Sequence, residues 1–239
     1  MKKILFLIMA TLAVVNGSAQ NCTDGLVSVK VNGKYGFTDK SGKEVVSCKY
    51  DLVNLFRDGL AMVKLNNKWG VVDKSGKEVI QCRYDTIDAF HDGLALAKLN
   101  NKWGAVDKLG REILLCKYDT VDLFRNGLAI VRSNNRCGVV DKSGKEVIPC
   151  RYEFIDFFSE GFASVKQNGK WGFVDKTGKE IVHCKYDNVW FFSGGKAKVE
   201  QNGKWGFVDT TGKEIIPCIY DDTFNANKAF FDSKKMEAL

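Results

Sequence analysis

The sequence predicts an all-β fold: tandem 34-residue antiparallel meanders of three to four strands, following one another as an open β-repeat array. Three observations carry this. First, an aromatic residue followed by glycine recurs in strict register at Tyr35-Gly36, Trp69-Gly70, Trp103-Gly104, Trp171-Gly172 and Trp205-Gly206, and Cys137-Gly138 fills the one missing place. Second, a glycine or a turn pair interrupts the chain every five to eight residues, too often for the two long amphipathic helices of a helical 34-residue repeat. Third, 45% hydrophobic and 27% charged residues with only two prolines describe a chain that can build a core.

The elements follow in order. Lys2-Lys3, the twelve-residue apolar stretch Ile4–Val15, and Gly17 and Ala19 before a cleavage point read as a secretory signal peptide over residues 1–19. Twelve residues fall short of the roughly 20 needed to cross a bilayer, so no integral span is expected after cleavage. Residues 20–239 then form one repeat domain, with six units from about 25 to 228 and a truncated C-terminal unit. In the second unit, Leu60–Lys64 is a strand, Asn66-Asn67 a tight turn and Lys68–Asp73 a second strand. Three other units place Asn-Gly at the turn, where both residues must reach positive φ. Asp73-Lys74-Ser75-Gly76 is the next turn, Glu78–Ile80 a third strand, and Tyr84–Ile87 a short fourth one before the corner at Phe90–Gly93. The tail after residue 228 reads as one closing strand. A closed six-bladed propeller is the alternative architecture, although 34 residues are tight for a blade.

The segments KWGVVDKSGKEVI, KWGAVDKLGREIL, KWGFVDKTGKEIV and KWGFVDTTGKEII resemble the WG-repeat (KWG-repeat) proteins of bacteria, as do GLAMVK, GLALAK, GFASVK and the closing Tyr-Asp pair, which is Tyr152-Glu153 in the fourth unit. The resemblance covers residues 24–228. It implies a β-rich array used for binding or assembly, often exported, and brings no catalytic residues with it. The departure lies after the third strand, where a Pro-Pro pair gives way to Cys, with Pro149 and Pro217 kept at the first place.

Candidate chemistry divides by residue type. Six of the eight cysteines (Cys48, Cys82, Cys116, Cys150, Cys184, Cys218) hold one repeat position. Three-stranded layers would set them roughly 14 Å apart, too far for a disulfide. They read as small buried residues. The two out of register, Cys22 and Cys137, are the disulfide candidates. Neither a C-x-x-C nor a paired His suggests a metal, and no cofactor is expected. His183, Glu160 and Trp190 are the unique polar and aromatic residues nearest one another in sequence. The row Trp69, Trp103, Trp171 and Trp205 could stack a ligand ring; filling the core between units is the more ordinary role of such a row, and of Phe56, Phe90, Phe124, Phe158 and Phe192.

Loss of Lys2 and Lys3 takes the formal charge from +7 to +5, with the remaining lysines spread around the repeat, so no nucleic-acid partner is expected. The function expected is a non-catalytic exported module that binds or scaffolds a protein or envelope-glycan partner, in the periplasm, at the cell surface or outside the cell. The alternative is a hydrolase of envelope polymers with an active site between units.

Overall fold

The computed structural model describes residues 22–237. The signal peptide expected over residues 1–19 lies outside the described residues. Two compact units part between Cys116 and Lys117. The first holds β1 (Cys22–Thr23), β2 (Leu26–Val31), β3 (Lys34–Asp39), β4 (Glu44–Tyr50), β5 (Leu52–Val53), β6 (Leu60–Leu65), β7 (Lys68–Asp73), β8 (Glu78–Tyr84), β9 (Thr86–Ile87), β10 (Leu94–Leu99), β11 (Lys102–Asp107) and all but the end of β12 (Glu112–Tyr118). The second holds β13 (Thr120–Val121), β14 (Leu128–Ser133), β15 (Arg136–Asp141), β16 (Glu146–Tyr152), β17 (Phe154–Ile155), β18 (Phe162–Gln167), β19 (Lys170–Asp175), β20 (Glu180–Tyr186), β21 (Asn188–Val189), β22 (Lys196–Gln201), β23 (Lys204–Asp209), β24 (Glu214–Tyr220) and the helix α1 (Thr223–Glu237). The tandem meanders expected from the sequence are present as six separate four-stranded antiparallel sheets, none closed into a barrel.

Each sheet opens with a two-residue strand, and here the expected unit needs correction. The sequence places Thr86–Ile87 at the end of the second meander. The structure gives it to the next sheet, ordered β9-β10-β11-β12. The cause is backbone pairing: Asp85 N–H donates to Lys98 O at 2.8 Å and Asp88 N–H to Leu96 O at 2.9 Å. Past Tyr84 the backbone of residues 85–88 pairs forward, so each sequence repeat lends its last strand to its successor.

The tight turns form as expected. Asn66 and Asn67 both have positive φ (50° and 63°), as a two-residue hairpin turn requires. In the Asp73-Lys74-Ser75-Gly76 turn, Asp73 Oδ1 accepts from Ser75 N–H (2.9 Å), Ser75 Oγ–H (2.6 Å) and Lys77 N–H (3.1 Å).

The glycine after each tryptophan has a steric cause. Between β7 and β8 the pairing steps from Trp69↔Tyr84 to Val71↔Ile80, so β8 bulges across Gly70. A Cβ on Gly70 would lie 2.6 Å from Ile80 O and 2.9 Å from Cys82 Sγ; on Gly172 it would lie 2.3 Å from Val182 O. At Gly70 and Gly138 the cysteine of the next strand rests on the glycine, with Cys82 Sγ and Cys150 Sγ 2.9 and 3.0 Å from where a Cβ would stand.

Within each unit the core sits between consecutive sheets. In the first unit Phe37, Val46 and Tyr50 meet Phe56, Ala61 and Val63, and Val71, Ile80 and Tyr84 meet Ile87, Ala95 and Ala97. In the second, Val139 and Tyr152 meet Ala163 and Val165, and Phe173 and Tyr186 meet Phe192 and Val199. Full burial of rings such as Phe37 and Phe173 stabilises each interface by about 1.5–3 kcal/mol per side chain. The final interface is different. Where a closing strand is expected after residue 228, α1 covers the last sheet, placing Ala226, Ala229 and Phe230 against Phe207, Ile216 and Trp205. Residues 223–237 contain neither Gly nor Pro, and Asp222 caps the helix by accepting from Asn225 N–H at 2.7 Å.

Candidate functional site

A set of the recurring residues holds one repeat to the next. Tyr84 ends β8, buried, and its hydroxyl donates to Glu112 Oε1 at 2.8 Å; the neighbouring Arg83 reaches the same oxygen at 2.6 Å. The arrangement repeats at Tyr50 with Glu78, Tyr118 with Glu146, Tyr152 with Glu180 and Tyr186 with Glu214. Burial first, and the carboxylate beside it second, push Tyr84, Tyr118 and Tyr152 up to about 12. Glu214 is held below the usual carboxylate range, by the Tyr186 hydroxyl first and Lys185 second. Asp51 accepts from Lys34 Nζ and, at 2.7 Å, from Asn66 N–H in the following sheet. Gly76 lies so near Val45 O that a Cβ would stand 2.2 Å from it. These groups serve the joints, and their altered acidity follows from that service.

The candidate ligand-stacking tryptophans Trp69, Trp103, Trp171 and Trp205 are half-buried. A lysine ammonium lies over three of the rings: Lys64 on Trp69 (5.5 Å), Lys98 on Trp103 (5.7 Å) and Lys166 on Trp171 (5.4 Å). Trp69 packs against the cluster of Tyr84 and Ile87, Trp205 against the one that α1 completes, and Phe154 meets Trp171 edge-on at 5.6 Å.

Cys137 is a free, buried thiol whose Sγ–H donates to Glu153 O at 3.7 Å. The Cys22 side chain lies outside the described residues. The six in-register cysteines are free and half-buried. Burial pushes Cys184 and Cys218 up to about 11, which keeps them protonated and poorly nucleophilic at neutral pH. Among the described residues no group of three His, Cys, Asp or Glu could hold a metal ion. His183, Glu160 and Trp190 each serve a different neighbour: His183 pairs with Glu180 (2.7 Å), Glu160 accepts from Gly194 and Gly195 N–H (2.8 and 3.0 Å), and Lys198 lies over Trp190 (4.7 Å).

The feature that sequence reasoning missed is on the corner loops. The phenylalanine row Phe56, Phe90, Phe124, Phe158 and Phe192 is buried or half-buried. The residue just before each of these points outward and varies: Leu55 and Ala89 in the first unit, Leu123, Phe157 and Phe191 in the second. Phe157 and Phe191 are 50% and 62% exposed, and Trp190 beside them 49%. The available signal was the departure from repetition, an apolar residue that changes identity where its neighbours do not.

Each unit also contains a notch between two consecutive corners. In the first, Leu60, Met62 and Val71 line a cavity of about 570 Å³ rimmed by Arg57, His91 and Lys108. In the second, the corresponding Leu128, Ile130 and Val139 line one of about 220 Å³, rimmed by Arg125 and Lys176. The smaller volume follows from Phe157, which occupies the place of Ala89 and lies under the Arg125 guanidinium at 4.6 Å.

These features define a tandem β-meander repeat protein whose recurring residues build joints. A family model described as "WG containing repeat" matches residues 35–69, 69–103, 103–137, 138–171, 171–205 and 205–231. The chain belongs to that WG-repeat family. Comparison with curated proteins gave no match. Among solved structures, Hsv2 of Kluyveromyces lactis is 9% identical over 78% of this chain and 71% of its own, with a TM-score of 0.33. PorZ of Porphyromonas gingivalis is 9% identical over 81% of this chain and 31% of its own, also at 0.33. The AfRom2 CNH domain is 12% identical over 82% of both chains, at 0.32.

No helix of the described residues is long and apolar enough to cross a membrane.

Proposed function

We propose that this WG-repeat chain is an exported, non-catalytic binding or scaffolding module, and that its corner loops present the binding face to a protein partner. The observation that carries the reading is a division of labour. The polar groups that recur are engaged inside the fold, closing turns and joining sheets, while the apolar residues that vary, Leu123, Phe157, Trp190 and Phe191, stand in solvent. Exposed aromatic side chains cost solubility, and clusters of them mark interaction sites. A protein partner suits them better than a glycan, because the half-buried tryptophans present no open platform for a sugar ring. Export is supported by Lys2-Lys3, Ile4–Val15 and the Gly17/Ala19 pattern.

The test is affinity capture from an envelope extract with the intact chain and with a Phe157→Ser/Phe191→Ser variant. Polypeptides held by the first and released by the second are expected. Equal capture by both, or retention of cell-wall polymer in place of protein, would sink the reading.

A further inference from the structure

The two notches differ at a residue that decides whether the rim lysine has a carboxylate partner. In the first unit, Asp58 lines the notch and pairs with Lys108 at 3.3 Å. The equivalent lysine in the second unit is Lys176, and the residue in the place of Asp58 is Asn126. Asn keeps the positive φ that the corner requires (50°, against 51° at Asp58) but supplies no charge. No acidic side chain lines the second notch, so Arg125 and Lys176 stand over a floor of Leu128, Ile130 and Val139 with no carboxylate between them.

We propose that this notch takes a large aliphatic or aromatic side chain from a peptide segment that carries a carboxylate beside it. The proposal rests on the binding reading above and gives it a ligand class. The cavity is smaller than the roughly 300 Å³ at which small-molecule sites begin, and its size suits one side chain. Its floor is aliphatic, so a sugar would lose hydroxyl hydration there without gaining partners. The exposed edges of Leu123 and Phe157 extend the apolar contact to the rim, where Arg125 offers a planar fork to a carboxylate and Lys176 a point charge.

Fluorescence anisotropy of the full chain with labelled hexapeptides tests this. The peptide DELFED is expected to bind, with affinity falling as salt rises; DESSED lacks the apolar side chains and KKLFKK the acids, and neither is expected to bind. Arg125→Gln with Lys176→Gln should weaken DELFED at least tenfold. Asn126→Asp, which copies the first-unit arrangement and spares the fold, should weaken it several-fold by giving Lys176 a partner. No binding of DELFED, equal binding of KKLFKK, binding indifferent to both variants, or displacement by a polyuronate in preference to unlabelled DELFED would each overturn the assignment. If DELFED fails while Phe157→Ser/Phe191→Ser still releases a captured polypeptide, the notch is refuted and the binding reading stands. If DELFED binds as expected while capture is unaffected, the corner-loop reading fails instead.

Discussion

Replacing Tyr186 by Phe removes one hydroxyl from a joint and leaves the rest in place. The ring is fully buried and keeps its contacts with Phe192, Ala197 and Val199. The lost interaction is the donation to Glu214 Oε1 at 2.7 Å; Glu214 retains Lys185 at 3.0 Å and is 36% exposed, so water can replace the hydroxyl. A hydrogen bond to a charged acceptor contributes about 1.5–3 kcal/mol, and the remaining partner and water place this one at the low end, about 1.5 kcal/mol. That corresponds to a fall in Tm of roughly 3–6 °C for a chain of this size. The sign with pH follows from Glu214. Its carboxyl is held below its ordinary 4.5, so its contribution is complete above that pH and is lost as pH falls through the depressed value. Guanidinium unfolding of both proteins at pH 7 and in acid is the assay, and the two curves are expected to converge in acid. A difference under about 0.5 kcal/mol at pH 7, within the range of ordinary surface changes, would refute the reasoning, as would a gap that persists undiminished in acid.

Gly172→Ala drives a Cβ into Val182 O and is expected to cost about 3 kcal/mol, seen as a fall in Tm of roughly 6–12 °C. Thiol reductants are expected to leave the melting temperature unchanged, because Cys137 and the in-register cysteines are free; a marked fall on reduction would argue for a disulfide. Tyr84, Tyr118 and Tyr152 have raised values, so the stability they confer is full below pH 10 and is lost as pH climbs toward 12; tyrosinate absorbance should rise together with unfolding across that window.

What the sequence disclosed was local. Asn-Gly and Asp-Lys-Ser-Gly turns specify their own geometry, so hairpins such as Leu60–Asp73 could be read directly. The partner of Thr86–Ile87 could not, because two residues carry no register and the choice falls to backbone groups on β10. The repeat that precedes it predicts a strand where the helix Thr223–Glu237 stands; the segment's own composition, without Gly or Pro, signals a helix. The corner face was hidden by adjacency: at Phe157-Phe158 both residues are phenylalanine, and only packing decides which is half-buried and which stands in water. The same packing answers the exchange at position 137. Where the tryptophans of the row are half-buried, Cys137 is 2% exposed and joins Val139, Ile148 and Tyr152 in one buried cluster, so the smaller residue is accommodated inside the joint.

The strand lent forward has a consequence for breakage. A repeat counted along the chain and a sheet counted in space are out of phase by the eight residues from Asp51 to Asp58. The peptide link between Asp58 and Gly59 is therefore bridged from both sides, since Leu52–Val53 upstream is hydrogen-bonded to Val63 and Lys64 downstream. A protease that nicks this exposed corner severs the covalent thread without freeing a piece. Each link is clasped by the strand that crosses it, and the thread can be cut once at any such corner while the clasp holds.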